Sequence, residues 1–269
     1  MLIRLGYDIQ FELPAPVSFL AMLHIHPSRQ GDLRCPDVMS VEPAISVDGF
    51  VDSYGNLCSR FDAPAGELRL VGSALIEDAG MPDATNLDAV EHSIHELPND
   101  TLRYLLSTRY CEVDRLGAVA LELFGGLPKG WSRVQAVCSW VYNHVAFGYQ
   151  YARPTKTALD VFTERQGVCR DFQHLAITFC RALNIPARYA TGYLGDIGIP
   201  ATPTPMDFSA WFEVYLSGQW WTFDARHNFP RIGRVLMAVG RDASDVAITT
   251  SFGIANLKYF HVVSEECAD

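Results

Sequence analysis

A cysteine at the first turn of a helix is a candidate nucleophile, and Cys169 holds such a place in GVCRDF (167–172). Phe172, Leu175, Ala176, Phe179, Cys180 and Leu183 follow at the spacing of a helix face packed on a sheet. The unpaired amides and macrodipole of a helix start favour thiolate over thiol, and Arg170 adds a neighbouring positive charge. The same amides can donate to an oxyanion formed on an attacked carbonyl. Cys138 and Cys180 fall on apolar helix stripes instead and read as small core residues.

A thiol nucleophile needs an imidazole base and a carboxylate to orient it. The hairpin FSAWFEVYL–SG–QWWTFD tests for them, because the two-residue turn Ser217-Gly218 sets Leu216 opposite Gln219. Asp224 then falls opposite Trp211 and diagonal to Ser209, about 5–8 Å away on the same face. Asp207, Ser209, Trp211, Glu213 and Tyr215 share that face, which is expected to border a cleft with Trp211 beside the substrate. Phe208, Ala210, Phe212, Val214 and Leu216 form the apolar face. Asp224 stands where an orienting acid belongs, and position 209 where its base belongs. Arg226 opposes Ser209; it either holds substrate carboxylate or oxyanion charge in the cleft, or pairs with Asp207.

Three histidines lie nearby in sequence. His227 follows Asp224 by three residues and reaches the site only if ARHN turns sharply; otherwise it is a surface residue after a strand. His174, five residues beyond Cys169, lies about 140° around the helix and points away from the thiol. His144 reads as a helix-surface or packing residue.

The elements that must position these residues are legible from periodicity. Asn184-Ile185-Pro186 ends the cysteine helix, the strand ARYATGYL follows, and the Gly- and Pro-rich loop GDIGIPATPTPMD is long enough to border a cleft. Upstream, helical segments are expected near 100–109, at 114–124 and at 131–145, where Val134, Val137, Cys138, Val141 and Val145 make one stripe. Thr157, with Asp160 three residues later, opens a short helix. At the N-terminus Ile3, Leu5, Tyr7, Ile9 and Phe11 alternate with polar residues, the period of a half-buried strand. Residues 1–80 therefore read as an antiparallel β domain, the polar, proline-bearing 81–99 as a linker, and 100–269 as a second domain of helices and antiparallel sheet, an α+β chain.

This order of a helix with an N-terminal cysteine, a strand, a loop and a hairpin ending in Phe-Asp resembles the transglutaminase-like superfamily, a papain-like cysteine fold. The stretches GVCRDFQHLAITFCRALNIPARYATGYL (167–194), MDFSAWFEVYLSGQWWTFDARHN (206–228) and WVYNHVAFGY (140–149) carry the resemblance. The N-terminal β part resembles that of bacterial members. The resemblance implies acyl transfer or amide hydrolysis at peptide or protein carbonyls through a thioester on Cys169, with Asp224 as the triad aspartate. One position departs. The family pattern His-Ala-Trp-x-Glu-Val-Tyr begins here with Ser209, which cannot exchange a proton near neutral pH as imidazole does. That departure leaves a second function open: a catalytically silent module that binds a peptide or protein in the same cleft. A redox-sensing thiol at the helix start is a third, weaker reading.

Composition narrows the partners. The net charge is −10, from 21 basic and 31 acidic residues, which argues against nucleic acid or an anionic membrane. The N-terminus reads as a strand rather than a signal peptide, and no apolar run is long enough to span a membrane. The seven cysteines (35, 58, 111, 138, 169, 180 and 267) include no CxxC pair and suit a reducing cytoplasm. His24-x-His26 and His92-x-x-His95 lack the rest of a ligand set, so no metal is expected. Without a Walker loop or a dinucleotide glycine fingerprint, no nucleotide cofactor is expected either.

Overall fold

The computed structural model describes residues 1–202 and 205–267. Six strands come first: β1 (Leu2–Leu13), β2 (Val17–Ala21), β3 (Val38–Glu42), β4 (Asp48–Val51), β5 (Leu57–Ala63) and β6 (Gly66–Glu77). Helices α1 (Val113–Phe124) and α2 (Trp131–His144) follow, then the two-residue strand β7 (Ala146–Phe147) and α3 (Ala158–Glu164). The equally short β8 (Gln166–Gly167) leads into α4 (Cys169–Ala182). The chain closes with β9 (Ala187–Leu194), β10 (Ser209–Leu216), β11 (Gln219–Phe223), β12 (Arg234–Gly240), β13 (Thr249–Ser251) and β14 (Asn256–Glu266). The architecture is α+β, with three four-stranded antiparallel sheets.

The first sheet runs β14–β1–β6–β3 and the second β13–β2–β5–β4. Along β1 the odd-numbered side chains from Ile3 to Leu13 are buried while the even ones face outward, the alternation a one-sided sheet requires. Those side chains meet Phe19 and Phe61 of the second sheet in one core, which also takes in Tyr193, Phe208, Val235 and Met237 from the other half. The third sheet runs β11–β10–β9–β12 and lays Ala210, Phe212, Val214 and Leu216 against α4. Contacts to α1, α2 and α3 cover the remaining sides of α4, so Asp171 through Arg181 are buried all round and not on one stripe alone.

Three boundaries differ from the expectation. Only a single 3₁₀ turn, Leu102–Leu105, forms in the segment expected to be helical near 100–109. The chain turns extended at Leu106, whose carbonyl accepts from Arg181 Nη1 at 3.0 Å, a tertiary bond that a continued helix would forgo. The stretch 81–99 is no free spacer: Asp83 accepts from the Arg231 amide and Arg234, and Glu91 accepts from the Gly130 amide at 2.8 Å. Finally, β13 and β14 do not belong with the unit expected over 100–269. They pair with β2 and β1, because β1 alternates cleanly and needs a partner on each edge. Residues 268–269 of that expected unit lie outside the described residues. No helix among the described residues is long and apolar enough to cross a membrane.

Candidate active site

Cys169 is the first residue of α4, as the GVCRDF pattern predicts. The turn that presents it is fixed from within. The Asp171 carboxylate folds back to accept from the Val168 amide at 3.0 Å, an N3 acid closing the helix start. Gly167 makes this fit, since a Cβ there would stand 2.6 Å from that of Asp171. Arg170 does not face the thiol. Its guanidinium donates to the Arg153 carbonyl at 2.8 Å and lies against Asp171, so the charge assigned to it from sequence comes from elsewhere. Arg226 is the cation that acts on Cys169.

The hairpin register is the one the turn demands, from Leu216 opposite Gln219 through Phe212 opposite Phe223. Beyond Phe223 the chain leaves the sheet, and Asp224 lies buried at its end. The segment ARHN does turn sharply: the Asn228 amide donates back to the Asp224 carbonyl at 2.8 Å, and Asn228 takes a left-handed φ of 59°. That turn brings the His227 ring onto the carboxylate, Nδ1 to Oδ2 at 2.8 Å. Asp224 also accepts from Arg234 at 2.8 Å, from Gln173 at 3.0 Å and from the amides of Arg226 and His227. Burial alone would raise this carboxyl, but Arg234 and His227 outweigh it and hold Asp224 well below the ordinary carboxylate range.

One cavity of about 370 Å³ gathers Cys169, Ser209, Arg226 and His227, with Tyr149 and Asp207 on its wall. The loop expected to border a cleft contributes Asp196, Ile199 and Thr202 to it, while Pro203 and Thr204 of that loop lie outside the described residues. His227 is the one imidazole on the wall among the described residues. Ser209 is 6% exposed and its hydroxyl has no hydrogen-bond partner among the described residues. Cys169 is partly exposed, yet the protein packed around its sulfur pushes the thiol up to about 11. Arg226 works against that rise and Asp207 adds to it. The helix start therefore does not by itself hold a thiolate, because the loss of hydration outweighs the dipole.

Trp211 does not border this cavity. It is 2% exposed, packed with Ala190 and Val239, and lies under Arg234 at 5.1 Å. The period of two leaves Trp211 on the face of Ser209, and what differs is the cover on that face. Trp211 points away from the face that meets α4, into space opened by Gly192, where a Cβ would stand 2.9 Å from the indole. Only the start of β10 reaches the cavity. Arg226 does not pair with Asp207 either; its guanidinium stacks on Phe147, 3.9 Å from the ring centroid. His174 turns away from the thiol as expected: its Nε2 accepts from the Ala243 amide and its ring stacks on Tyr110. His144 donates from Nδ1 to the Trp140 carbonyl at the helix surface and stacks on the Trp140 ring.

Two residues that hold Asp224 escape a sequence reading. Gln173 donates to Asp224 and to the Ala210 carbonyl, and accepts from the Ala225 amide at 3.1 Å. A polar residue beside the apolar stripe of α4, one turn past Cys169, was its only signal. Arg234 carried none, since its partners Asp83 and Asp224 are far from it or unremarkable in sequence. No group of three potential metal ligands occurs among the described residues.

Comparison with known proteins places this geometry among relatives. Residues 118–225 match the model of the transglutaminase-like superfamily. The whole fold is similar to that of a candidate cysteine protease from Cytophaga hutchinsonii, with a TM-score of 0.86 and 32% identity over 98% of this chain and 90% of that one. A Mycobacterium leprae protein of uncharacterised function is 26% identical over 212 residues, 76% of this chain and 75% of the relative.

Proposed function

The chain belongs to the transglutaminase-like superfamily, and from that premise we propose that it is a thiol enzyme acting on peptide or protein amide carbonyls. Cys169 is the nucleophile, His227 the base, and Asp224 the carboxylate that orients it. The observation that carries this reading is the 2.8 Å bond from His227 Nδ1 to Asp224, with His227 and Cys169 on the wall of one cavity. A ring that donates through Nδ1 leaves Nε2 free to accept a proton, the tautomer a general base requires. As Cys169 Sγ attacks the carbonyl carbon, Nε2 takes the thiol proton and the helix-start amides hold the oxyanion. Collapse breaks the C–N bond, and the amine leaves with the proton from His227. Water or a second amine then cleaves the thioester, giving an acid or a new amide and restoring the thiol. The free cysteines favour a reducing compartment, so the cytoplasm is part of the same proposal.

A second reading, a silent peptide-binding module, is favoured by Ser209 at the position of the family's histidine and by a thiol near 11. Acetylation by p-nitrophenyl acetate, located by peptide mass mapping, separates the two. The enzyme reading expects acetyl-Cys169 in the wild type, turnover with time, and a loss of about 10²–10⁴-fold in His227→Ala. An unchanged rate in His227→Ala removes the base assignment. A Cys169 that stays unacetylated up to pH 9 hands the cavity to the binding reading.

A further inference from the structure

The cavity at Cys169 contains more cationic and hydroxyl donors than the protein itself engages. Arg226 pairs with no acidic side chain among the described residues; its guanidinium carbon lies 3.9 Å from the Phe147 ring centroid, and its side-chain N–H groups have no hydrogen-bond partner among those residues. Arg231, 3% exposed, spends one nitrogen on the Gly195 carbonyl at 2.9 Å, while its Nε has no partner. The hydroxyls of Ser209 and Ser264, each 6% exposed, are also unpartnered, and all four residues line the same cavity. A buried polar group without a partner forfeits its hydration with nothing in return, so several in one wall point to a ligand that satisfies them.

We propose that this wall recognises a carboxylate on the substrate, next to the amide that Cys169 attacks, through Arg226, Arg231 and the Ser264 hydroxyl. The inference rests on the reading of the cavity as a peptide site. A flat guanidinium with a free edge matches a carboxylate's two oxygens. The acids on the wall set the charge of the guest. Asp196 is taken up by Thr202, which donates through both amide and hydroxyl, and stands 3.8 Å from Arg231. Asp207 remains close to Arg226 without pairing with it. Two carboxylates nearby leave room for a monoanion and make a phosphate dianion costly. Ser264 comes from β14, so the strand that returns to the N-terminal sheet completes the recognition surface.

The test is protection of Cys169 from iodoacetamide at pH 9, read by peptide mapping, with three acetylated pentapeptides. One is Ala-Ala-Gln-Ala-Ala with a free C-terminal acid, one is its C-terminal amide, and one is the amide with Glu after Gln. At least one acidic peptide is expected to protect at tenfold lower concentration than the neutral amide, and which one does so identifies the carboxylate as terminal or side-chain. Arg226→Gln should erase the difference and Arg226→Lys keep part of it. Each variant is compared with itself without peptide, because Arg226 also acts on the thiol. Ser264→Ala should weaken the acidic peptide alone. Equal protection by all three peptides overturns the carboxylate proposal and leaves the peptide cavity standing. If no peptide protects, both fall.

Discussion

Ser209 stands on the cavity wall with Cys169, where the family pattern has histidine. Burial pushes the Cys169 thiol up to about 11, against the field of Arg226. Ser209→His would set a second imidazole on the same wall. An imidazolium there favours the thiolate, so alkylation of Cys169 should begin at lower pH, and at pH 8 its rate should rise at least tenfold. Iodoacetamide labelling mapped to Cys169 across pH 6–10 measures it. An unmoved profile would mean that position 209 has no electrostatic access to the sulfur. The unbonded hydroxyl gives a companion expectation. Ser209→Ala removes a buried group that no partner satisfies, so the urea midpoint should stay put or rise slightly.

Helix α4 is the element that couples Cys169 to Asp224. Through Gln173 it reaches Asp224, the Ala210 carbonyl and the Ala225 amide at once, tying the cysteine helix to β10 and to the segment that follows β11. Gln173→Leu keeps most of the volume but strands those groups, and should cost about 1–3 kcal/mol in urea unfolding. A cost near zero would mean that the three bonds are incidental. The same helix carries a pH dependence. Burial pushes His174 down to about 3, against the field of Asp242, while in the unfolded chain it titrates near 6.5. Its folded value is the depressed one, so the stabilisation is complete above about pH 6.5 and is lost as pH falls towards 3. Between pH 6.5 and 4.5, where ordinary carboxylates stay ionised, the urea midpoint should fall in the wild type and hold level in His174→Gln.

At the scale of the molecule, the chain returns to where it began. β14 closes the edge of β1, and β13 that of β2, while the first core accepts Tyr193, Val235 and Met237 from the third sheet. An isolated 98–269 fragment would carry β14 as an unpaired strand with Val262 and the core residues of β12 uncovered. Such a fragment should be insoluble or molten, with near-UV dichroism lost. A cooperative melt would show that the sheets are independent after all. Deleting residues 256–269 should in turn expose the β1 edge and remove Ser264 from the cavity, so a folded deletion variant should lose its preference for acidic peptides.

Local pattern was enough for much of this protein. A helix start at Cys169, the hairpin register around Ser217-Gly218, and the alternation of β1 follow from spacing, because each depends on residues a few positions apart. The superfamily was legible in the same stretches. Spacing also put Asp224 in the hairpin opposite Trp211, whereas the pairing ends at Phe223, and it did not give the turn at Asn228 that swings His227 onto the carboxylate. Other features depend on partners far along the chain, and only the tertiary structure decided them. Trp211 stays on the face that spacing gave it with Ser209, but Ala190, Val239 and Arg234 cover it there and the cavity does not reach that far along β10. Packing strips water from the Cys169 sulfur and pushes the thiol up, a desolvation that outweighs the Arg170 amide and the field of Arg226. Ser264 reached the cavity through a β pairing across almost the whole length of the chain, Leu5 to Ser264, and sequence spacing carries no trace of such a contact.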